Sequence, residues 1–262
     1  MYLTIRLLYF MSVIAGFKNN DSGKNVIQNI STTGSDTKSQ NEYATIKKIP
    51  LPEGFERVGV EENSFAEWLQ NIPLKNDKTV YLYDGSQKTN QQAQFAVLNI
   101  SVGTKNLQQC ADVVMRLRAE YLFACNRFQE IHFTDNDNTA YNFTPPYTTA
   151  HFQKYLDVVF GMYGSASLAK QLKTVQTFSD IKVTDVIIRG GFPGHAVIVM
   201  DVAFNTTGKK IFLLAQSYMP AQDIHVLVNP RNNDLSPRYL TDENLAISTP
   251  EYLFKTSELK TW

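Results

Sequence analysis

The run Thr184-Asp185-Val186-Ile187-Ile188-Arg189-Gly190-Gly191-Phe192-Pro193-Gly194-His195-Ala196-Val197-Ile198-Val199-Met200 constrains this chain more than any other. Two β-branched, apolar segments flank a glycine- and proline-rich turn, which is the signature of paired strands. A strand apolar at every position, not only at alternate ones, belongs inside a sheet covered on both faces. The run therefore carries one histidine, His195, to the mouth of a buried strand. An imidazole there must be either a satisfied structural group or a working one.

Eighty-five positions earlier, Cys110 sits near the start of an expected helix. That helix follows Gly103-Thr104 with Asn106 as its cap, and its apolar stripe is Leu107, Cys110, Val114, Leu117 and Tyr121. Counting from Asn106, Cys110 is the fourth helical residue, so backbone dipoles assist a thiolate only in part. The plainer alternative makes Cys110 a small core residue on that stripe.

Composition narrows the classes. With 262 residues and 43% hydrophobic content, the chain can bury a full core. Formal charge is zero and no basic run is interleaved with aromatics, so no nucleic-acid partner is expected. Residues 1–17, with Arg6 followed by an apolar run and small residues, read as a signal peptide, and the run is too short to span a bilayer. Residues 18–48 are polar and aperiodic and read as a flexible tether, leaving 49–262 as a single globular domain. If Cys110 and Cys125 share one helix they lie about 22 Å apart, too far to be bridged.

Within that domain, Phe55 to Val60 reads as a strand, and Ser64-Phe65-Ala66-Glu67 is a capping box opening a short helix. Val80 to Tyr83 and Gln94 to Val102 read as strands, and Asp135 to Tyr147 reads as loop. His151 to Gly161 and Ser165 to Leu172 read as helices, and from Ile181 onward the pattern is β. The expectation is an α+β fold, helices first and an antiparallel sheet last, with the central helix packed on the sheet.

The strand after His195 turns at Asn205-Thr206-Thr207-Gly208. A two- or four-residue loop pairs Phe204 with Lys209, Val197 with Gln216 and His195 with Tyr218. In that register Gln216 shares a face with His195 on the diagonal, about 7–8 Å away between backbones. Its amide oxygen can accept the second imidazole N–H and fix the ring, the task of the third member in a nucleophile–base–orienter arrangement. Asp201 shares the face but lies roughly 20 Å along the strand. Asp223, beyond the hairpin, stays a second candidate orienter. Gln108 or Gln109 can donate to an oxyanion, and Gly194 can shape the cleft.

His132, His151 and His225 lie on separate elements without metal-ligand spacing. Asp135-Asn136-Asp137-Asn138 has Ala140 and Pro146 where a calcium loop needs glycine and glutamate. No nucleotide-binding glycine motif occurs, so neither metal nor cofactor is expected.

Several words of the sequence are more specific. Tyr83-Asp84-Gly85-Ser86-Gln87-Lys88-Thr89-Asn90-Gln91, Leu107 to Asp112, Arg116 to Leu122, Gly190 to Ala196 and Ala215 to Val226 together resemble the domain-of-unknown-function family 4846 of secreted bacterial proteins, over roughly Leu51 to Phe254. That resemblance implies export and one domain, and brings no activity with it. A second resemblance is to NlpC-like and CHAP-like amidases, which share the thiol-then-histidine chain order of papain-like enzymes and cut amide bonds in wall peptides. Gln109-Cys110, Thr184-Asp185-Val186-Ile187, Gly194-His195-Ala196-Val197 and Gln216 stand at the places of that pattern. Thr184 replaces a glycine, Gln216 replaces the more usual Asn, Glu or His, and the stretch from Cys110 to His195 is longer than usual.

The resemblance implies a papain-like/NlpC-like fold and an exported cysteine hydrolase of the periplasm or cell envelope, with Cys110 as nucleophile, His195 as base and Gln216 as orienter. The rival expectation is a non-catalytic module that binds a wall peptide or glycan in the same cleft.

Overall fold

The computed structural model describes residues 40–242 and 246–262. The signal-peptide reading falls on residues 1–17, outside the described residues, as does the tether up to residue 39. The last nine tether residues do not behave as one. Gln40 bridges Asp77, Thr45 bridges Pro73, and Ile46 is fully buried. Ordered structure therefore starts before Ile49, because one apolar side chain in a polar segment suffices to dock it.

In chain order the elements are β1 (Phe55–Arg57), α1 (Phe65–Gln70), β2 (Gln94–Val97), α2 (Cys110–Ala124), β3 (His132–Thr134), β4 (Ala140–Asn142), α3 (Thr149–Met162) and α4 (Ser165–Gln171). There follow β5 (Lys173–Thr174), β6 (Val186–Arg189), β7 (His195–Asn205), β8 (Lys210–Gln216), β9 (His225–Leu227), β10 (Tyr239–Leu240), β11 (Ile247–Ser248), β12 (Leu253–Phe254) and β13 (Leu259–Thr261). No helix among them is long and apolar enough to cross a membrane.

The main sheet runs β2-β9-β8-β7-β6-β13-β5, with β1 also on β7 and β10 also on β8, and every pairing is antiparallel. Mixed helix and antiparallel sheet agrees with the α+β expectation. The order of elements differs, since β1 precedes all four helices and β2 follows α1 but precedes α2, yet both strands join the sheet. Val80 to Tyr83 forms only isolated bridges, Tyr81 to Gln87 and Leu82 to Gln222, whereas the expected loop at 135–147 contains β4, which pairs with β3.

β7 is the axis of the molecule. From His195 to Ala203 every residue is buried, as the continuous apolar run requires, and α1 and α2 pack over it. One edge pairs with β6 around Ala196–Ile198 and with β1 around Ala203–Asn205, and the other edge pairs with β8.

The hairpin between β7 and β8 corrects the expected register at one end only. Phe204 faces Lys210, not Lys209, because Asn205 N–H donates to Lys209 O and lengthens the loop. A bulge between Val199 and Asp201 absorbs the extra residue, so Ile198 faces Ala215, as the sequence-based register requires. Just past the bulge the Asp201 carboxylate is fully buried, held by Arg57 at 2.9 Å, Arg238 at 2.9 Å and Gln70 at 2.8 Å. It is a structural anion, removed from any role beside His195.

Ser64 caps α1 by accepting from Glu67 N–H, as its sequence predicts. α2 departs from expectation. Its cap is Gln109, whose N–H donates 2.8 Å to the Asp112 carboxylate, and Cys110 is its first residue. Asn106 instead uses its side-chain oxygen to accept from Ala221 N–H, which stitches the pre-helix segment to the connection between β8 and β9.

Candidate active site

The N-terminus of α2 and the N-terminal end of β7 meet at a cleft of about 380 Å³. Cys110 and His195 both line it, with Gln109, Gly194, Tyr218 and Tyr252 among their neighbours. Cys110 is partly accessible, and its Sγ lies 4.0 Å from Gly194 O. Cys125, at the far end of α2, is an exposed free thiol. Gly194 thus enters the cleft as a wall, with its carbonyl as a weak acceptor for the thiol. A Cβ built there would fall well inside contact distance of Ser165 Oγ and Gly191 O. Only glycine lets the turn lie this close to α4.

His195 is buried to 1% exposure, and three aromatic rings surround its imidazole: Tyr218 at 4.8 Å, Tyr252 at 5.0 Å and Phe254 at 5.8 Å between centroids. Its Nε2 lies 2.8 Å from Gln216 Oε1. Gln216 Nε2 in turn donates 2.7 Å to Glu251 Oε2, and Lys88 Nζ donates to the same oxygen at 2.7 Å. A carboxylate only accepts, so the Gln216 amide nitrogen faces Glu251 and its oxygen must accept from His195. The neutral imidazole therefore carries its proton on Nε2 and leaves the lone pair on Nδ1. His225 completes the set, with Nδ1 donating 2.9 Å to Asp223 O and Nε2 lying 3.4 Å from Gln216 Nε2.

Asp223 is not the orienter. Its carboxylate accepts from Lys75 Nζ at 2.8 Å and from Tyr81 N–H at 3.1 Å. Gln108 is also committed, donating 3.2 Å to Gln222 O and accepting from Arg116. Gln109 remains at the cleft, its amide 3.3 Å from Asn106 Oδ1.

Burial sets the charges. It lowers the His195 pKa to about 4, against smaller upward pulls from the Gln216 hydrogen bond and Glu251. It pushes the Cys110 thiol upward, against a smaller downward pull from the Ala111 backbone N–H at the helix start. Asp112 itself is raised to about 8 by burial. With the thiol raised and the imidazole lowered, both groups that line the cleft are uncharged at neutral pH.

Sequence reasoning brought Cys110, His195 and Gln216 to one region and missed Glu251, Lys88, His225 and Tyr252. Glu251 and Tyr252 lie between two-residue strands, β11 and β12, which have no periodicity to detect. Lys88 lies in an irregular segment. Only His225 left a trace, since β9 pairs Gln216 with it directly.

The family described as Domain of unknown function (4846) matches residues 46–145 and 135–261. The chain belongs to that family. No curated protein and no solved structure matches the chain.

Proposed function

We propose that this protein is a cysteine hydrolase working through a covalent acyl-enzyme, with Cys110 as nucleophile, His195 as general base and Gln216 as the group that holds the imidazole. The main support is that Cys110, the first residue of a helix, and His195, pinned through Nε2, line the same cleft. In the proposed cycle the Cys110 proton passes to His195 Nδ1 as Sγ bonds to an amide carbonyl carbon. That proton moves to the leaving nitrogen as the C–N bond breaks, and a thioester remains. Water then loses a proton to Nδ1 as it attacks the thioester carbonyl, the acid departs, and the sulfur regains the proton. First-turn N–H groups of α2, which have no intrahelical partner, and the Gln109 amide are suited to receive the oxyanion.

Because thiol and imidazole are both neutral at rest, proton transfer accompanies attack. Glu251, reached through Gln216, favours the imidazolium that then forms. The pattern shared with NlpC-like and CHAP-like amidases directs the proposal to amide bonds of wall peptides, on a papain-like/NlpC-like fold. Export to the periplasm or envelope is part of this reading and rests on the sequence of residues 1–17.

The second reading, a module that binds wall peptide or glycan without cutting it, draws on the resting neutrality of the pair. The two separate on incubation of the full chain with peptidoglycan fragments, followed by mass spectrometry of fragments and protein. Hydrolysis is expected to yield new amino and carboxyl ends and a transient thioester on Cys110, both lost in Cys110→Ala and His195→Ala. Binding with neither cleavage nor thioester would replace the hydrolase with the binding module.

A further inference from the structure

We infer that the cleft at Cys110 receives an uncharged, apolar acyl group, an inference that rests on the hydrolase reading and names which half of the substrate sits beside the sulfur. Among the described residues, none that lines the cleft is Asp, Glu, Lys or Arg. The charges closest to the His195 and Tyr252 side of the cleft are already paired, and Lys170 reaches its rim only through the Asn136 carbonyl. Glu251 meets Lys88 and Gln216, and Arg189 pairs with Glu258 while lying over the Tyr252 ring at 5.4 Å. An ammonium or carboxylate brought beside Cys110 would lose hydration and meet no charged side chain in the cleft lining.

The apolar side is unusually open. The described chain exposes six large hydrophobic side chains, and two of them, Phe192 at 101% and Met219 at 54%, stand on this cleft. Tyr218 and Tyr252 supply further ring surface. Exposed apolar surface gathered at a concave site favours an apolar ligand, because covering it releases water on both partners. At about 380 Å³ the space equals roughly a dozen waters at ~30 Å³ each, enough for a branched or aromatic acyl group. A substrate whose acyl-side residue is charged fits poorly.

Alkylation of the full chain tests this, with exposed Cys125 as an internal reference. Iodoacetate, iodoacetamide and N-benzyl-iodoacetamide carry one reactive group on an anionic, a small neutral and an apolar neutral body. Peptide mass spectrometry gives the ratio of Cys110 to Cys125 modification for each. The ratio is expected to be at least fivefold higher with the benzyl reagent than with iodoacetate, with iodoacetamide between them. In a Phe192→Ser/Met219→Ser double variant the benzyl ratio is expected to fall to that of iodoacetamide. A smaller difference, the reverse order, or a benzyl preference surviving in the double variant would overturn the inference. Loss of the hydrolase reading looks different: the preference would stand while no thioester or cleavage is found.

Discussion

His195 Nε2 and Gln216 Oε1 lie 2.8 Å apart between adjacent strands of the buried sheet, and this bond fixes which imidazole nitrogen is free to act as a base. Gln216→Ala removes the acceptor and lets the ring turn. Acylation at Cys110 is expected to fall at least about tenfold, within the roughly 10²–10⁴-fold that a positioned acid–base group supplies. Pre-steady-state thioester formation measures it, and an unchanged rate would remove Gln216 from the site.

Glu251 and Lys88 act on the same ring with opposite signs. The Glu251 charge raises the His195 pKa and the Lys88 charge lowers it. Glu251→Gln should move the His195 titration, followed by NMR of its ring protons, to lower pH. Lys88→Met should move it to higher pH. Shifts of equal sign would mean that the variants act by rearrangement and not by charge.

Stability should peak near pH 6.5. Burial lowers His195 to about 4 and His225 to about 3, so below the ordinary histidine value the unfolded chain binds more protons and stability falls with pH. Asp112 works the other way. Its folded pKa of about 8 means the folded chain holds the extra proton, and stability falls as pH rises from the carboxylate range through 8. Between about pH 4 and 6.5 two histidines outweigh Asp112, and above 6.5 the buried carboxyls set the slope, Asp112 foremost. Asp112→Asn should flatten the alkaline limb, leaving the smaller same-signed effect of Asp185, which burial also raises. Thermal denaturation across pH 4–9 checks this, and an unchanged alkaline limb would contradict it.

Thr184 and Gly194 make a contrasting pair. Thr184 has φ of +84°, a left-handed conformation that a β-branched residue adopts with strain. Thr184→Gly should stabilise the fold by about 1 kcal/mol, after the entropy of glycine offsets part of the relief. Gly194→Ala should destabilise by about 1–3 kcal/mol or more, because the new methyl meets Gly191 O and Arg189 O as well as Ser165 Oγ, and backbone cannot rotate away. Urea denaturation of both variants measures the two signs, and a stabilised Gly194→Ala would refute the packing described for the turn.

The sequence by itself determined the buried strand β7, its turn, the Ser64 cap and the facing of Gln216 toward His195. Each follows from local rules: continuous apolarity, glycine and proline placement, capping chemistry and two-residue alternation. It misplaced the start of α2, because Asn106 is a far better cap by residue type than Gln109. The choice fell to Asp112, which takes the Gln109 N–H, and to Ala221, which takes the Asn106 side chain. Tertiary structure alone decided that Glu251 and Lys88 stand behind Gln216, 35 and 128 positions away along the chain. Their segments have no period, so nothing local sets where they go. Only tertiary packing against the sheet, with burial that leaves each charge needing a partner, brings them there.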